Sequence, residues 1–247
     1  MDEQFSRSAL LLGAEATKRI FCAKIALFGV GGVGGQCADA LARSGVGALH
    51  LYDDDIVSLS NLNRQIAALH STLGKPKAQV IADRVRDINP ACDAKAIRMF
   101  YLPQNADQVD LSQYDYVVDC IDTVAAKLEL ISRCTALNVP IISAMGTGNK
   151  LDPSALHISD ISKTQGCPLA RVMRKELRKR GIEHLKVVWS TEEPRTPLER
   201  AQSEAPAQSD TRPGPTARRD TPGSLPFVPA AAGLLLASAV VRDLIGE

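Results

Sequence analysis

No two cysteines in this chain stand in a Cys-x-x-Cys pair. The six that occur, Cys22, Cys37, Cys92, Cys120, Cys134 and Cys167, are scattered, which argues against a structural zinc site of the paired-knuckle kind. Several fall in apolar helix or strand patterns, as reduced core thiols do, and cytoplasmic residence is the simplest reading. Charge of either sign is not in excess: 29 Lys and Arg face 28 Asp and Glu, a net of +1. A nucleic-acid partner therefore has to be met by a local patch rather than a global basic field. The opening MDEQFSRSAL has no basic region followed by an apolar stretch, so no secretory leader is expected. Long hydrophobic runs are scarce too. The apolar part of the C-terminal segment, 17 uncharged residues from Leu225 to Val241, sits at the lower limit for a membrane span. Its many small residues suit close packing, so a buried helix and no membrane span are expected.

What is present is an alternation of short apolar runs and amphipathic stretches over 247 residues, enough for one large α/β domain with a sizeable core. Residues 24–30, 48–53, 94–100, 115–122 and 139–145 read as strands. Residues 33–44, 77–88 and 124–137 read as helices between them. This pattern predicts a Rossmann-like, doubly wound, mostly parallel sheet. Residues 1–150 form that nucleotide-binding unit. Residues 151–193 and 225–247 continue the same domain as a C-terminal α/β extension, with strands at 155–161 and 185–190, a helix at 168–181 and a C-terminal helix. Residues 194–224 hold six prolines, no aromatic and almost no aliphatic side chain. They are expected to form a flexible loop, because they cannot bury enough surface to offset ordering.

The segment GVGGVG (29–34) follows a strand and opens a helix. Gly29, Gly31 and Gly34 fit the G-x-G-x-x-G fingerprint, with Gly32 added. Glycine lets the backbone turn tightly and approach phosphate at a helix N-terminus. Asp53 ends the next strand, where a ribose-binding carboxylate is expected. The fingerprint alone leaves NAD and ATP open. Asp55 and then SLSNLNRQ (58–65) follow, and an Asn-x-x-Arg cluster suits cleavage of ATP between its α- and β-phosphates. Preorganised cations stabilise the charge of that transition state. Arg64 is the natural candidate, with Asn61 as a neutral donor and Lys77 at the start of a helix. Asp122 ends the fourth strand, where ligands bind in such sheets, and could hold Mg²⁺. Each has a structural alternative: a surface arginine, a solvated lysine, a helix N-cap at Asp122.

With these residues in place, the chain resembles the ThiF/MoeB/HesA superfamily of adenylating enzymes from Phe5 to about Met145. The resemblance implies that Gly32 lines the ATP phosphates, Asp53 holds the ribose, and Asn61, Arg64 and Lys77 contact phosphate. Asp122 is then the metal-associated acid near the reacting carboxylate. The FSR at 5–7 resembles the family's N-terminal motif, which implies that Arg7 reaches into a partner subunit's site and that the protein is a homodimer.

The second half, at 149–181 and 223–244, is similar to tRNA threonylcarbamoyladenosine dehydratases. That implies a tRNA substrate, activation of its carboxylate as an acyl-adenylate, and ring closure with net loss of water. It also leaves room for a sulfur-transfer partner from a cysteine desulfurase system. The other reading is an adenylyltransferase for a ubiquitin-like sulfur-carrier protein, which the missing cysteine pairs weaken. The helix at 168–181 places Arg171, Arg174, Lys175 and Arg178 on one face, with Leu169, Val172 and Leu177 able to face the core. Such a stripe can neutralise phosphates, or it is an ordinary solvated face. Lys150, Lys163 and Lys186 are candidates to widen it. Cys167, just before that helix, reads as a partly buried cysteine rather than a nucleophile.

Overall fold

A computed structural model describes residues 3–197 and 222–247. Two short helices come first, α1 (Ser6–Leu12) and α2 (Ala14–Cys22). The alternating part follows: β1 (Lys24–Phe28), α3 (Gly34–Arg43), β2 (Ala48–Tyr52), α4 (Lys77–Ile88), β3 (Asp93–Ile97), β4 (Tyr116–Asp119), α5 (Val124–Leu137) and β5 (Ile141–Ala144). Beyond it come β6 (Leu156–Asp160), α6 (Pro168–Arg178), β7 (Lys186–Ser190) and α7 (Phe227–Ile245). The strand and helix positions match the sequence reading closely. The third strand stops at Ile97 and the sixth helix at Arg178, each short of its predicted end. Helices α1 and α2 had no counterpart in that reading.

The strands form one seven-stranded sheet in the order β3-β2-β1-β4-β5-β7-β6. All pairs are parallel except β6 with β7. β1 and β2 are buried on both faces: Ile25, Leu27, Leu49 and Leu51 enter one core cluster, and Ala26, Phe28 and Tyr52 enter another with Tyr101, Leu111 and Tyr114 from the segment before β4. The chain winds outward from β1 to β3 in one direction and from β4 through β5 in the other. The strand order therefore reverses between β1 and β4, and a crevice opens beyond their carboxyl ends.

Helix α7 is long and apolar enough to cross a bilayer by length and composition. Here its small-residue face lies on α3, with Val228, Ala232, Gly233, Leu236 and Val240 buried. A side chain at Gly233 would put a Cβ 2.3 Å from the Val33 carbonyl oxygen. The absence of one lets α7 settle directly behind the turn that leads into α3. The predicted flexible loop at 194–224 lies mostly outside the described residues. Its two described ends meet at Asn149, whose backbone oxygen accepts from Arg195 N–H at 2.8 Å and whose Oδ1 accepts from Gly223 N–H at 2.6 Å.

Candidate active site

The crevice holds a cleft of roughly 370 Å³. Its floor is the turn after β1. Gly29 has φ +86°, a left-handed conformation that glycine adopts at no steric cost. A Cβ there would also stand 2.8 Å from the Cys120 carbonyl oxygen. Gly34 opens α3 so close beneath this turn that a Cβ would fall 1.8 Å from Gly29 O. Gly31 and Gly32 line the cleft, whereas Gly34 is buried behind it and acts through packing. The fingerprint therefore splits between a bare backbone surface for phosphate and a close approach of strand and helix.

Asp53 follows β2. Its Oδ2 accepts from Val30 N–H at 2.7 Å, and its Oδ1 accepts from Asp55 N–H at 2.8 Å. The carboxylate thus braces the glycine turn and keeps lone pairs for a ligand hydroxyl. Burial raises its pKa, against the lowering by those two backbone bonds. Asp55 accepts from Lys77 Nζ at 2.8 Å. Lys77, 5% exposed at the first position of α4, brings its ammonium to the cleft through this pair. Arg64 lines the opposite side, with Nη1 donating to Ser60 O and to Asn63 Oδ1, both at 2.8 Å. Asp122 lies exposed on the rim beyond β4. It is not a helix cap: Thr123 occupies that position in α5, and the Asp122 Oδ1 accepts only a 3.2 Å bond from Thr123 Oγ1.

Two predicted residues are placed elsewhere. Asn61 is buried, and its Oδ1 accepts from Ser58 N–H at 3.1 Å, closing a one-turn cap outside the cleft lining. It shapes the turn that presents Arg64. Arg7 lies exposed on α1 and does not line the cleft of its own chain.

The basic helix also differs from expectation. Ala170, Met173 and Leu177 form its buried face, and Val172 is exposed, because the 3.6-residue period fixes only one core stripe. Arg174 turns inward to bond Thr164, which leaves Arg171, Lys175 and Arg178 exposed. Lys150 is buried, donating to Ser190 O at 3.2 Å, and Lys186 pairs with Asp243. Neither widens the patch, whereas Lys163 is exposed. Cys167 is buried against Gly146 at the start of α6.

Sequence reasoning missed several lining residues. Gln65 directly follows Arg64 in the same motif, is 9% exposed, and has a buried Oε1 without a partner. Phe28 and Tyr52, the last residues of β1 and β2, stack at 4.3 Å and wall the cleft beside Asp53. Their position before Gly29 and Asp53 was the available signal. Tyr101 and Met99 come from an irregular stretch that carries none. Another groove, of roughly 480 Å³ at Ile158, His184 and Lys186, lies at the opposite strand ends and holds none of the predicted nucleotide-site residues.

A match to the ThiF family runs over residues 5–247. The tRNA threonylcarbamoyladenosine dehydratase of Bacillus subtilis is 41% identical over 248 residues, covering 100% of this chain and 96% of the relative. The sulfur carrier protein ThiS adenylyltransferase of Escherichia coli is 36% identical, over 60% of each chain. The crystal structure of the Escherichia coli tRNA N6-threonylcarbamoyladenosine dehydratase in complex with ATP superposes with a TM-score of 0.85. It is 32% identical and covers 99% of this chain and 94% of that one. By its motifs, its sheet and the extent of these matches, the chain belongs to the ThiF family.

Proposed function

We propose that the protein is an ATP-dependent tRNA threonylcarbamoyladenosine dehydratase. The observation that carries this reading is the convergence of the glycine turn, Asp53, Arg64, Lys77 and Asp122 on one cleft. The full-length similarity to the Bacillus dehydratase supports the substrate assignment.

The glycine turn and the start of α3 receive the phosphates, and Asp53 accepts from a ribose hydroxyl. The carboxylate of the modified adenosine attacks the α-phosphorus of ATP, and pyrophosphate leaves. Arg64 and Lys77 stabilise the charge that develops on the phosphoryl oxygens and leaving group. Lys77 exchanges part of its pairing with Asp55 for that charge. A ureido atom of the same side chain then attacks the acyl-adenylate, losing a proton and expelling AMP as the five-membered ring closes. The attack is intramolecular, so its effective molarity is high and no nucleophilic cysteine is needed. This agrees with Cys167 being buried.

Asp122, exposed on the cleft rim, would hold Mg²⁺, hard oxygen being the ligand such an ion prefers. The ion would neutralise phosphate charge. A homodimer belongs to the same reading. Helix α1 has no buried residue, and Leu10 and Leu11 are 88% and 84% exposed beside Arg7. A second copy covering that apolar face would carry Arg7 to the neighbouring cleft. Six free cysteines fit residence in the cytoplasm.

The adenylyltransferase reading is separated by substrate dependence. Release of AMP and pyrophosphate should require threonylcarbamoylated tRNA. Release that instead requires a carrier protein ending in Gly-Gly, with none on the tRNA, would overturn the proposal.

A further inference from the structure

Directly beneath the cleft lies a charge pair that the reaction scheme does not use. Asp119, the last residue of β4, and Lys127, in the first turn of α5, are both fully buried. The Lys127 Nζ stands 2.8 Å from Asp119 Oδ2 and donates to Ala144 O at 2.9 Å and Ile121 O at 3.1 Å. Its three protons meet three acceptors. Asp119 also accepts from Ser143 Oγ at 2.6 Å and from Ile121 N–H at 3.1 Å. Burying two charges is costly and often no more stabilising than an apolar pair. A reason for this one should therefore be sought in geometry.

The sheet supplies that reason. The β4–β5 register ends at Asp119 opposite Ser143. Beyond it the strands part: Cys120 N–H donates to Phe28 O of β1, while Met145 N–H donates to Val188 O of β7. The segments that follow, Ile121–Asp122 and Met145–Thr147, both line the cleft, and the strand ladder no longer ties them together. Lys127 bonds one carbonyl on each side of the gap.

We propose that Lys127 is a positioning residue. Its ammonium straps the Asp122 rim to the Ala144–Thr147 rim and sets the width of the cleft between them. This inference rests on the adenylation reading, because the spacing matters where a carboxylate must be held in line with a phosphate. Misplacement by about 1 Å at such a site costs on the order of a hundredfold in rate.

The test uses K127M, which strands a buried carboxylate and is expected to lower the thermal midpoint sharply. It also uses D119N/K127M, which removes both charges, keeps the Ser143 and Ile121 bonds and should recover much of the midpoint. In the double variant, hydrogen exchange at residues 121–123 and 145–148 should accelerate at least tenfold while the β1 and β2 amides stay protected. That reads the strap itself, whatever the substrate. Turnover on threonylcarbamoylated tRNA should fall about 10- to 100-fold in kcat, with KM for ATP within about threefold of the parent. K127R, which keeps the charge and donors, should restore kcat to within about tenfold of the parent. S143A, a milder change in the same cluster, should show a smaller loss in kcat alone. Unchanged exchange overturns the strap, as does parent kcat in the double variant, or a loss shared equally by kcat and ATP affinity. Inactivity of the parent protein on tRNA, with exchange accelerated as expected, would instead fault the functional reading.

Discussion

At the scale of single residues, the site divides into residues whose place follows from position in a motif and those whose place follows from a bond. Gly29, Gly31, Gly32, Asp53, Arg64, Lys77 and Asp122 were legible because each stands at a fixed offset from a strand end or helix start. The structure brings all seven to one cleft. Asn61 sits in the same motif, but its amide closes a turn with Ser58, a choice that spacing cannot show. Lys127 was illegible for a stronger reason. A lysine in the first turn of a helix reads as solvated, and only the assembled sheet reveals that two strands separate around it. Arg64 gives the sharpest single-residue prediction. Arg64→Ala should lower turnover about 10²–10³-fold, the usual loss on removing a preorganised donor to developing charge. ATP affinity, measured by calorimetry, should fall less. Parent turnover in that variant would remove Arg64 from the mechanism.

At the scale of elements, the hydrophobic period located nearly every strand and helix of the sheet, because buried parallel strands and one-sided helices leave strong patterns. Helix α1 escaped because it buries nothing within its own chain, so its pattern has no core to report. Helix α7 was legible as a buried helix, but not its partner, since small residues say only that something approaches closely. Gly233→Ala tests that approach. The added Cβ meets backbone at Val33, which cannot rotate away, so stability should fall by about 1–3 kcal/mol in denaturant melts. ATP binding should weaken as the glycine turn shifts. An unchanged midpoint would show that α7 gives way without cost.

Helix α6 carries the other element-scale prediction. Arg171, Lys175 and Arg178 are exposed on it, and Leu169 at its start lines the cleft. Such a stripe can neutralise the phosphates of a bound tRNA. Changing the three to glutamate should weaken tRNA binding and reduce its salt slope by about 0.7–0.9 per lost phosphate contact. ATP binding should hold. Binding equal to the parent across a salt series would make α6 a solvated face.

At the scale of the whole molecule, the resemblance of residues 5–7 to the family's N-terminal motif pointed to a dimer. The exposed leucines of α1 give that expectation a physical basis. If Arg7 serves the partner's cleft, R7A and D122A proteins should each be nearly inactive. After subunit exchange they should regain activity, because one site of the mixed dimer keeps both residues. Absence of recovery, with exchange demonstrated by native mass spectrometry, would show that Arg7 acts within its own chain or not at all.

The account as a whole stands on net dehydration of a tRNA base driven by ATP. Its most direct measurement is the mass of the modified nucleoside after threonylcarbamoylated tRNA is incubated with the protein, ATP and Mg²⁺. The account predicts loss of one water per modified base, accompanied by one AMP and one pyrophosphate, and no change when ATP is withheld. An unchanged nucleoside mass in the presence of ATP, from protein shown to bind both ATP and the tRNA, would contradict it.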